Sequence, residues 1–313
     1  MSRPGSAIVK RREALSWSRN FSSTSWALLG VIGFSLSLPA TKLAVATIDG
    51  WVVGMGRALV AAVLALIALC AMRVAPPPRV LWPRLCVVIA GAIVGFPLLA
   101  ALALQTVPSA HGAIVVGLLP AATAVAGVLQ AHERPPLRFW TASLVGLAAI
   151  VAFCSISGLG RLQIADLYLL ASVVCAACGY AEGALLARLL GAWQVTCWAL
   201  VASAPLILPF VAWRIYQHGW HPSPGSLAGF AYVSLIAMFF AYFAWYRGLA
   251  LGGIARVGQL QLIQPVLTLL WGALFLGERV AWLHAVTAAI VLGSVASALS
   301  WRGAVVPAPR MST

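Results

Sequence analysis

Long apolar stretches alternate with short polar or Pro-containing segments along most of the chain. A helix that crosses the ~30 Å hydrocarbon layer of a membrane needs about 20 mostly apolar residues. Because the stretches are continuous and do not alternate with a period of two, they indicate membrane helices and not a membrane barrel of strands. The pattern predicts an all-α polytopic membrane protein with ten transmembrane helices, near Trp26–Ala46, Trp51–Met72, Leu85–Leu104, Pro108–Gln130, Phe139–Ile156, Leu167–Ala187, Val195–Trp213, Leu227–Tyr246, Ile254–Leu276 and Trp282–Ser300.

Composition and charge support this interpretation. With 62% hydrophobic and 8% charged residues, the chain has too little polar surface to cover a water-soluble globule of its size. The net charge of +14 comes from basic residues in short segments between the apolar stretches, so we interpret it as topology and expect no nucleic-acid partner. With the N-terminus inside, the outer ends hold only Lys42, Arg161, Arg214 and Arg279. The positive-inside rule then predicts that both termini lie in the cytoplasm and that the protein lies in a bacterial inner membrane.

The chain also matches itself at an offset of 145 positions, the distance from Pro120 to Pro265. Five helices separate the two copies, an odd number, so the copies cross the membrane in opposite directions and form an inverted repeat. We expect an N-terminal tail (1–25), two five-helix repeats (26–157 and 166–301) and a C-terminal tail (302–313). Inverted repeats are typical of secondary transporters that work by alternating access. The aligned residues are Ala110, Pro120, Thr123, Gly127, Leu129, Glu133 and Arg134 with Ala255, Pro265, Thr268, Gly272, Leu274, Glu278 and Arg279.

Each copy contains a Pro-bearing helix that ends in Glu-Arg, at Glu133-Arg134 and at Glu278-Arg279. In this feature the chain resembles the EamA type of the drug/metabolite transporter superfamily, over nearly its whole length. The resemblance implies ten helices, cytoplasmic termini and export of amino acids or other small metabolites. It does not identify the metabolite.

Ionisable groups inside membrane helices are costly unless they face a cavity or a partner, so each is a candidate for substrate binding. Glu182 lies well inside the sixth helix. It either binds a substrate ammonium group or a proton, or lies at the inner end of the helix, where it is exposed to water. Lys42 and Arg57 either extend to the membrane interface or attract a substrate carboxylate. His111 begins the fourth helix and has either an interfacial or a substrate-binding role.

Polar residues of the ninth helix share one face. Gln261, Gln264, Thr268 and Trp271 fall within roughly 80° of one another at 100° per residue. This polar stripe either lines a cavity or holds helices together. We favour the cavity, because Pro265 interrupts the same helix.

Aromatic residues concentrate in the eighth helix, where Tyr242, Trp245 and Tyr246 follow Phe239. Aromatic rings can enclose an apolar substrate, whereas Tyr246 beside Arg247 is also typical of an interface anchor. We expect Tyr242 and Trp245 to contact substrate.

Prolines interrupt four predicted helices and leave carbonyl groups without helical partners, so we expect hinges or gates there. Gly91 and Gly95 are expected to allow close packing of the third helix. The four prolines are Pro39, Pro97, Pro120 and Pro265.

Other functions have weaker support in the sequence. Neither of the two lysines, Lys10 and Lys42, follows a glycine, so the chain has no phosphate-binding loop of an ATPase. Cys175 and Cys178 share a helix face but have no second ligand pair for zinc, and we expect no metal and no cofactor. One alternative is an intramembrane serine protease, weakly indicated by Ser35 in Gly33-Phe34-Ser35-Leu36 with His111 as the base. Another alternative is a membrane sensor that does not transport a solute.

We therefore expect a non-enzymatic, alternating-access exporter of amino acids or similar small metabolites, with hydrophobic or aromatic amino acids slightly favoured. An exporter of another small metabolite or of a drug is the alternative. Proton coupling and facilitated diffusion both remain open, as do the monomeric and homodimeric states. The expected partners are a small-molecule substrate and the lipid bilayer.

Overall fold

A computed structural model describes residues 22–107, 109–156 and 164–276, with scattered positions between 286 and 297. This part of the chain is almost entirely helical, and no strand occurs in it. In chain order the helices are α1 (Ser23–Ala44), α2 (Gly50–Ala71), α3 (Arg79–Thr106), α4 (Ser109–Val116 then Leu119–Ala131), α5 (Leu137–Ile156), α6 (Ile164–Leu190), α7 (Ala192–His218), α8 (Pro224–Gly252) and α9 (Ile254–Gly258, Gln259–Leu262 and Ile263–Leu276).

The all-α membrane architecture is confirmed. Six helices of the described part, α1, α2, α3, α6, α7 and α8, are long and apolar enough to cross a membrane unaided. Helices α4 and α9 are broken into shorter pieces. The predicted tenth helix lies mostly outside the described residues, and the positions described within it, such as Val286 and Ser294, are helical.

Local sequence explains where several helices begin. Asp49 caps α2, because its Oδ1 accepts hydrogen bonds from the backbone N–H groups of Trp51 (3.1 Å) and Val52 (3.2 Å). Helix α3 starts earlier than predicted, since a 3₁₀ turn at Arg79 leads into Trp82 and a proline at the start of a helix is tolerated.

The packing follows an inverted two-fold relation between the halves. At the 145-residue offset α1 corresponds to α6 and α3 to α8. Helix α1 packs along α8, and their counterparts in the other half, α6 and α3, pack along each other in the same way. Helix α2 packs along its own counterpart α7, and α4 along α9. The molecule is therefore built from two inverted repeats, as the sequence predicted.

Irregular turns recur at equivalent positions in the two halves. Both α3 and α8 contain a π-helical segment, at Ile89–Gly95 and at Val233–Phe240, and these ranges coincide within a residue at the 145-residue offset. Helix α4 breaks at Gly117 and Leu118, and α9 contains a 3₁₀ turn over Gln259–Leu262, whose last residue corresponds to Gly117 at the 145-residue offset. Such turns often mark functional segments.

Glycines bring α3 and α6 into backbone contact. A Cβ atom at Gly179 would lie 2.6 Å from the backbone nitrogen of Ala92, and one at Gly91 would overlap the carbonyl oxygen of Cys175. The predicted packing role of Gly91 is confirmed. This close approach joins the two halves near the middle of the bundle.

Candidate functional site

Helix α1 breaks at Leu36, in the middle of the bundle. Pro39 has no N–H, so the carbonyl group of Ser35 has no partner in the helix. The hydroxyl of Thr268 donates to that carbonyl at 2.9 Å, and Nε2 of Gln264 donates to the carbonyl of Phe34 at 3.4 Å. The polar stripe of α9 therefore holds the broken part of α1.

The same stripe engages the Ser35 side chain. Its hydroxyl donates to the carbonyl of Ile32 at 2.7 Å and accepts from Nε1 of Trp271 at 2.7 Å. Ser35 thus contributes to the packing of α9 on α1, and the side chain of His111, the base of the protease alternative, lies outside the described residues.

Pro97 leaves the carbonyl of Ala92 without a helical partner, and Tyr242 binds that carbonyl. In the π-helical segment of α3 the N–H of Phe96 pairs with the carbonyl of Gly91, five residues earlier. In that register Pro97 would pair with Ala92, but proline cannot donate. The hydroxyl of Tyr242 in α8 donates to the Ala92 carbonyl instead, at 2.8 Å. Tyr242, two residues after the π-helical segment of α8, therefore joins α8 to the π-helical segment of α3.

Around Tyr242 the rings of five residues form an aromatic cluster, which we define as Phe34, Tyr180, Tyr242, Trp245 and Tyr246. Phe34 contacts Tyr242 edge to face with centroids 5.2 Å apart, and Tyr180 contacts Trp245 at 5.7 Å. All five side chains are buried. Edge-to-face pairs at such distances favour a defined ring arrangement.

Beside this cluster lies Arg57, only 5% exposed. Its Nε atom has no hydrogen-bond partner among the described residues, and the cation forms no ion pair there. Its electrostatic neighbours are Tyr242 and Tyr180. A buried cation without a fixed counter-ion is costly, so the position of Arg57 calls for a ligand or water.

Arg57 lines a small cavity, which we call the Arg57 cavity. Its walls come from α1, α2, α3 and α8, and it has room for about one water molecule in this arrangement of the helices. Its lining residues are Phe34, Ser37, Arg57, Phe96, Ala237, Met238 and Tyr242.

A second cavity, the Gln261 cavity, lies between Leu38 of α1 and the breaks of α4 and α9. It also has room for about one water molecule. Gln261 is 3% exposed and its Oε1 atom has no hydrogen-bond partner among the described residues. The lining residues are Leu38, Ala113, Val116, Gly117, Leu119, Gln261, Gln264, Pro265 and Thr268.

Among the described residues two ion pairs connect the halves, one toward each end of the bundle. Arg84 of α3 forms an ion pair with Glu182 of α6. At the opposite end Arg214 of α7 holds Asp49, with Nη2 and Oδ2 2.6 Å apart. Glu182 lines neither the Arg57 cavity nor the Gln261 cavity, and its carboxylate is paired with Arg84.

Lys42 and Glu133 both satisfy helix ends. Nζ of Lys42 donates to the carbonyls of Leu104 (2.8 Å) and Val107 (3.0 Å), so this cation caps the C-terminus of α3. The Glu133 carboxylate accepts from the backbone N–H groups of Ile254 and Ala255, both at 2.7 Å, and so caps α9. The Glu of the first Glu-Arg motif thus joins the two broken helices.

Among the predicted site residues, Arg57 and Tyr242 meet at one cavity, while Gln261, Gln264 and Pro265 meet at the other. Trp245 is fully buried in the aromatic cluster, and its Nε1 has no hydrogen-bond partner among the described residues. Pro39, Pro97 and Pro120 lie at the irregular turns of α1, α3 and α4.

Sequence reasoning missed Tyr180 and Phe34, which complete the aromatic cluster. A tyrosine in the middle of a membrane helix is a usable signal, because its hydroxyl needs a polar neighbour at that depth. Within the described part of the chain no three His, Cys, Asp or Glu side chains lie close enough to hold a metal ion.

Comparisons with known proteins point to one family. The sequence pattern of the EamA-like transporter family matches residues 22–154 and 163–300. The chain is 46% identical over 277 residues to the "Uncharacterized transporter YdeK" of Bacillus subtilis (strain 168), covering 87% of this chain and 96% of that protein. A solved structure described as "Crystal structure of protein" has a TM-score of 0.73 at 19% identity, covering 90% of this chain and 97% of the other, and supports the fold.

Proposed function

Because the chain belongs to the EamA-like transporter family and is a multi-pass membrane protein, we propose that it exports amino acids or similarly small metabolites by alternating access. Hydrophobic and aromatic amino acids are slightly favoured as substrates. The observation that carries the proposal is the buried Arg57, whose Nε atom has no hydrogen-bond partner among the described residues, beside an aromatic cluster at the place where two inverted halves meet.

The proposed substrate site is the region around the break of α1. Arg57, Tyr242 and Trp245 contact substrate on one side of the break, and Gln261 and Gln264 on the other. The pairing of a cationic donor with amide groups suits the carboxylate and ammonium groups of an amino acid. The aromatic cluster provides contact area for its side chain.

The two ion pairs between the halves are the proposed gates. Arg84–Glu182 closes the end that carries the excess of basic residues, which we assign to the cytoplasm by the positive-inside rule. Asp49–Arg214 closes the opposite, periplasmic end. Since each pair joins one half to the other, opening one while the other stays closed exposes the centre to one side at a time.

The prolines Pro39, Pro97, Pro120 and Pro265 are the proposed hinges. Carbonyls that they release are bonded by side chains of other helices, such as Tyr242 and Thr268. A side-chain hydrogen bond can be exchanged during a conformational change more readily than a bond of the helix backbone. His111, whose side chain is not described, stays a predicted substrate contact.

The decisive experiment is counterflow with purified protein in liposomes. A panel of radiolabelled amino acids, nucleosides and sugars is tested with and without a proton gradient. We expect exchange of hydrophobic or aromatic amino acids, reduced in Gln264→Ala and Tyr242→Ala and unchanged in the exposed control Arg79→Gln. Exchange of nucleosides or sugars without any amino acid would reject the substrate assignment.

A further inference from the structure

Every carboxylate that the described part of the chain contains is already engaged. Asp49 pairs with Arg214, Glu133 caps α9 and Glu182 pairs with Arg84. Asp166 also has an interaction within the structure. Anionic partners for a substrate cation are therefore already occupied in this part of the chain.

Arg57 differs from these carboxylates, which all have partners. Arg57 is buried, lines a cavity and lacks a counter-ion among the described residues. A guanidinium presents several N–H donors in a fixed plane, which matches the two oxygens of a carboxylate. The electrostatic demand of the Arg57 cavity is thus for one negative charge.

Apart from Ser37, the rest of this cavity is apolar or aromatic. Phe34, Phe96, Met238 and Tyr242 surround the cation, and Tyr180 and Trp245 lie behind Tyr242 and Phe34. A ligand that gives its carboxylate to Arg57 would place an apolar group against these rings. Beyond Arg57 and Ser37, strongly polar or doubly charged ligands would lose hydration here and gain few new partners.

From these features we propose that the Arg57 cavity recognises small organic monoanions, meaning carboxylates with an aromatic or aliphatic remainder, and that an α-ammonium group is dispensable. The inference rests on the proposed transport function and narrows its substrate class. Amino acids then bind through their carboxylate, and the corresponding ammonium-free acids bind as well. Amines and amino-acid amides do not.

The test compares four ligands of similar size by isothermal titration calorimetry on the purified full chain: phenylalanine, 3-phenylpropionate, phenylalaninamide and phenethylamine. We expect binding of the two carboxylates and none of the amide or the amine. Arg57→Gln should weaken carboxylate binding on the order of a hundredfold, because it removes one partner of a buried charge pair. The exposed Arg79→Gln makes the same chemical change elsewhere and should bind like wild type.

Equal affinity of wild-type protein for phenylalanine and its amide would overturn the inference, as would wild-type affinity in Arg57→Gln. The ligand comparison uses wild-type protein, so a variant that fails to fold does not remove the test. If liposomes exchange amino acids while the amide binds as tightly as the acid, the carboxylate inference fails and the proposed function stands. If no ligand binds and no solute exchanges, both fail.

Discussion

Replacing Glu133 by alanine tests whether the broken helices α4 and α9 depend on a single carboxylate. In the structure Glu133 is 7% exposed, and its two oxygens accept from the N–H groups of Ile254 and Ala255, each at 2.7 Å. Hydrogen bonds to a charged group contribute about 1.5–3 kcal/mol each, and negative charge at a helix N-terminus adds a few tenths more. Because both bonds share one carboxylate, the contributions are not additive, and we expect a loss of about 3 kcal/mol.

Thermal unfolding followed by tryptophan fluorescence in detergent measures this loss. The melting temperature of Glu133→Ala should be several degrees below that of wild type. Glu133→Gln keeps one acceptor oxygen, so its melting temperature should lie between those of wild type and Glu133→Ala. The neighbouring Arg134 is exposed, so Arg134→Ala is a matched control that should melt like wild type. If Glu133→Ala and Arg134→Ala melted at the same temperature, the capping interpretation would be wrong.

Three further changes probe individual contacts. Tyr242→Phe removes the bond to the Ala92 carbonyl and should lower the free energy of unfolding by about 1 kcal/mol and slow exchange, both measured on one liposome preparation. Lys42→Met uncaps α3 and should lower the melting midpoint without changing substrate preference, so an altered preference would show that Lys42 contacts substrate. Reversing the charge of Asp49 or Arg214 alone should impair counterflow, and the double reversal should restore it; additive defects would exclude a gate formed by this pair.

The sequence predicted the helices and their relation well, because both depend on local signals. Apolar length identified the spans, and the offset between Pro120 and Pro265 related the halves. The position of the breaks also followed from single prolines, since a missing N–H acts at a known place in the helix. The irregular turns at α1, α3 and α4 lie where those prolines indicated.

The partners of the candidate residues were less accessible to sequence reasoning. Glu182 was a candidate for substrate ammonium, but its carboxylate meets Arg84, which lies 98 residues earlier in the chain. Glu133 was recognised only as part of a motif, and its capping role depends on N–H groups more than 120 residues away. Neither distance follows from helical periodicity, because both depend on how the halves pack.

Satisfied and unsatisfied polar groups lie close together in the centre of the bundle. Carbonyls released by prolines are bonded by Tyr242 and Thr268, and an ion pair joins the halves toward each end of the bundle. Around the break of α1, by contrast, Arg57 Nε, Trp245 Nε1 and Gln261 Oε1 all lack partners within the described residues. Buried atoms without partners among the described residues also occur elsewhere, for example Oε1 of Gln130 and of Gln194. What distinguishes the break of α1 is that Arg57 and Gln261 also line cavities. In the proposed transport function, a ligand that supplies the missing partners there stabilises the ligand-bound arrangement more than the open ones, and such differential binding is what allows a solute to drive the exchange between conformations.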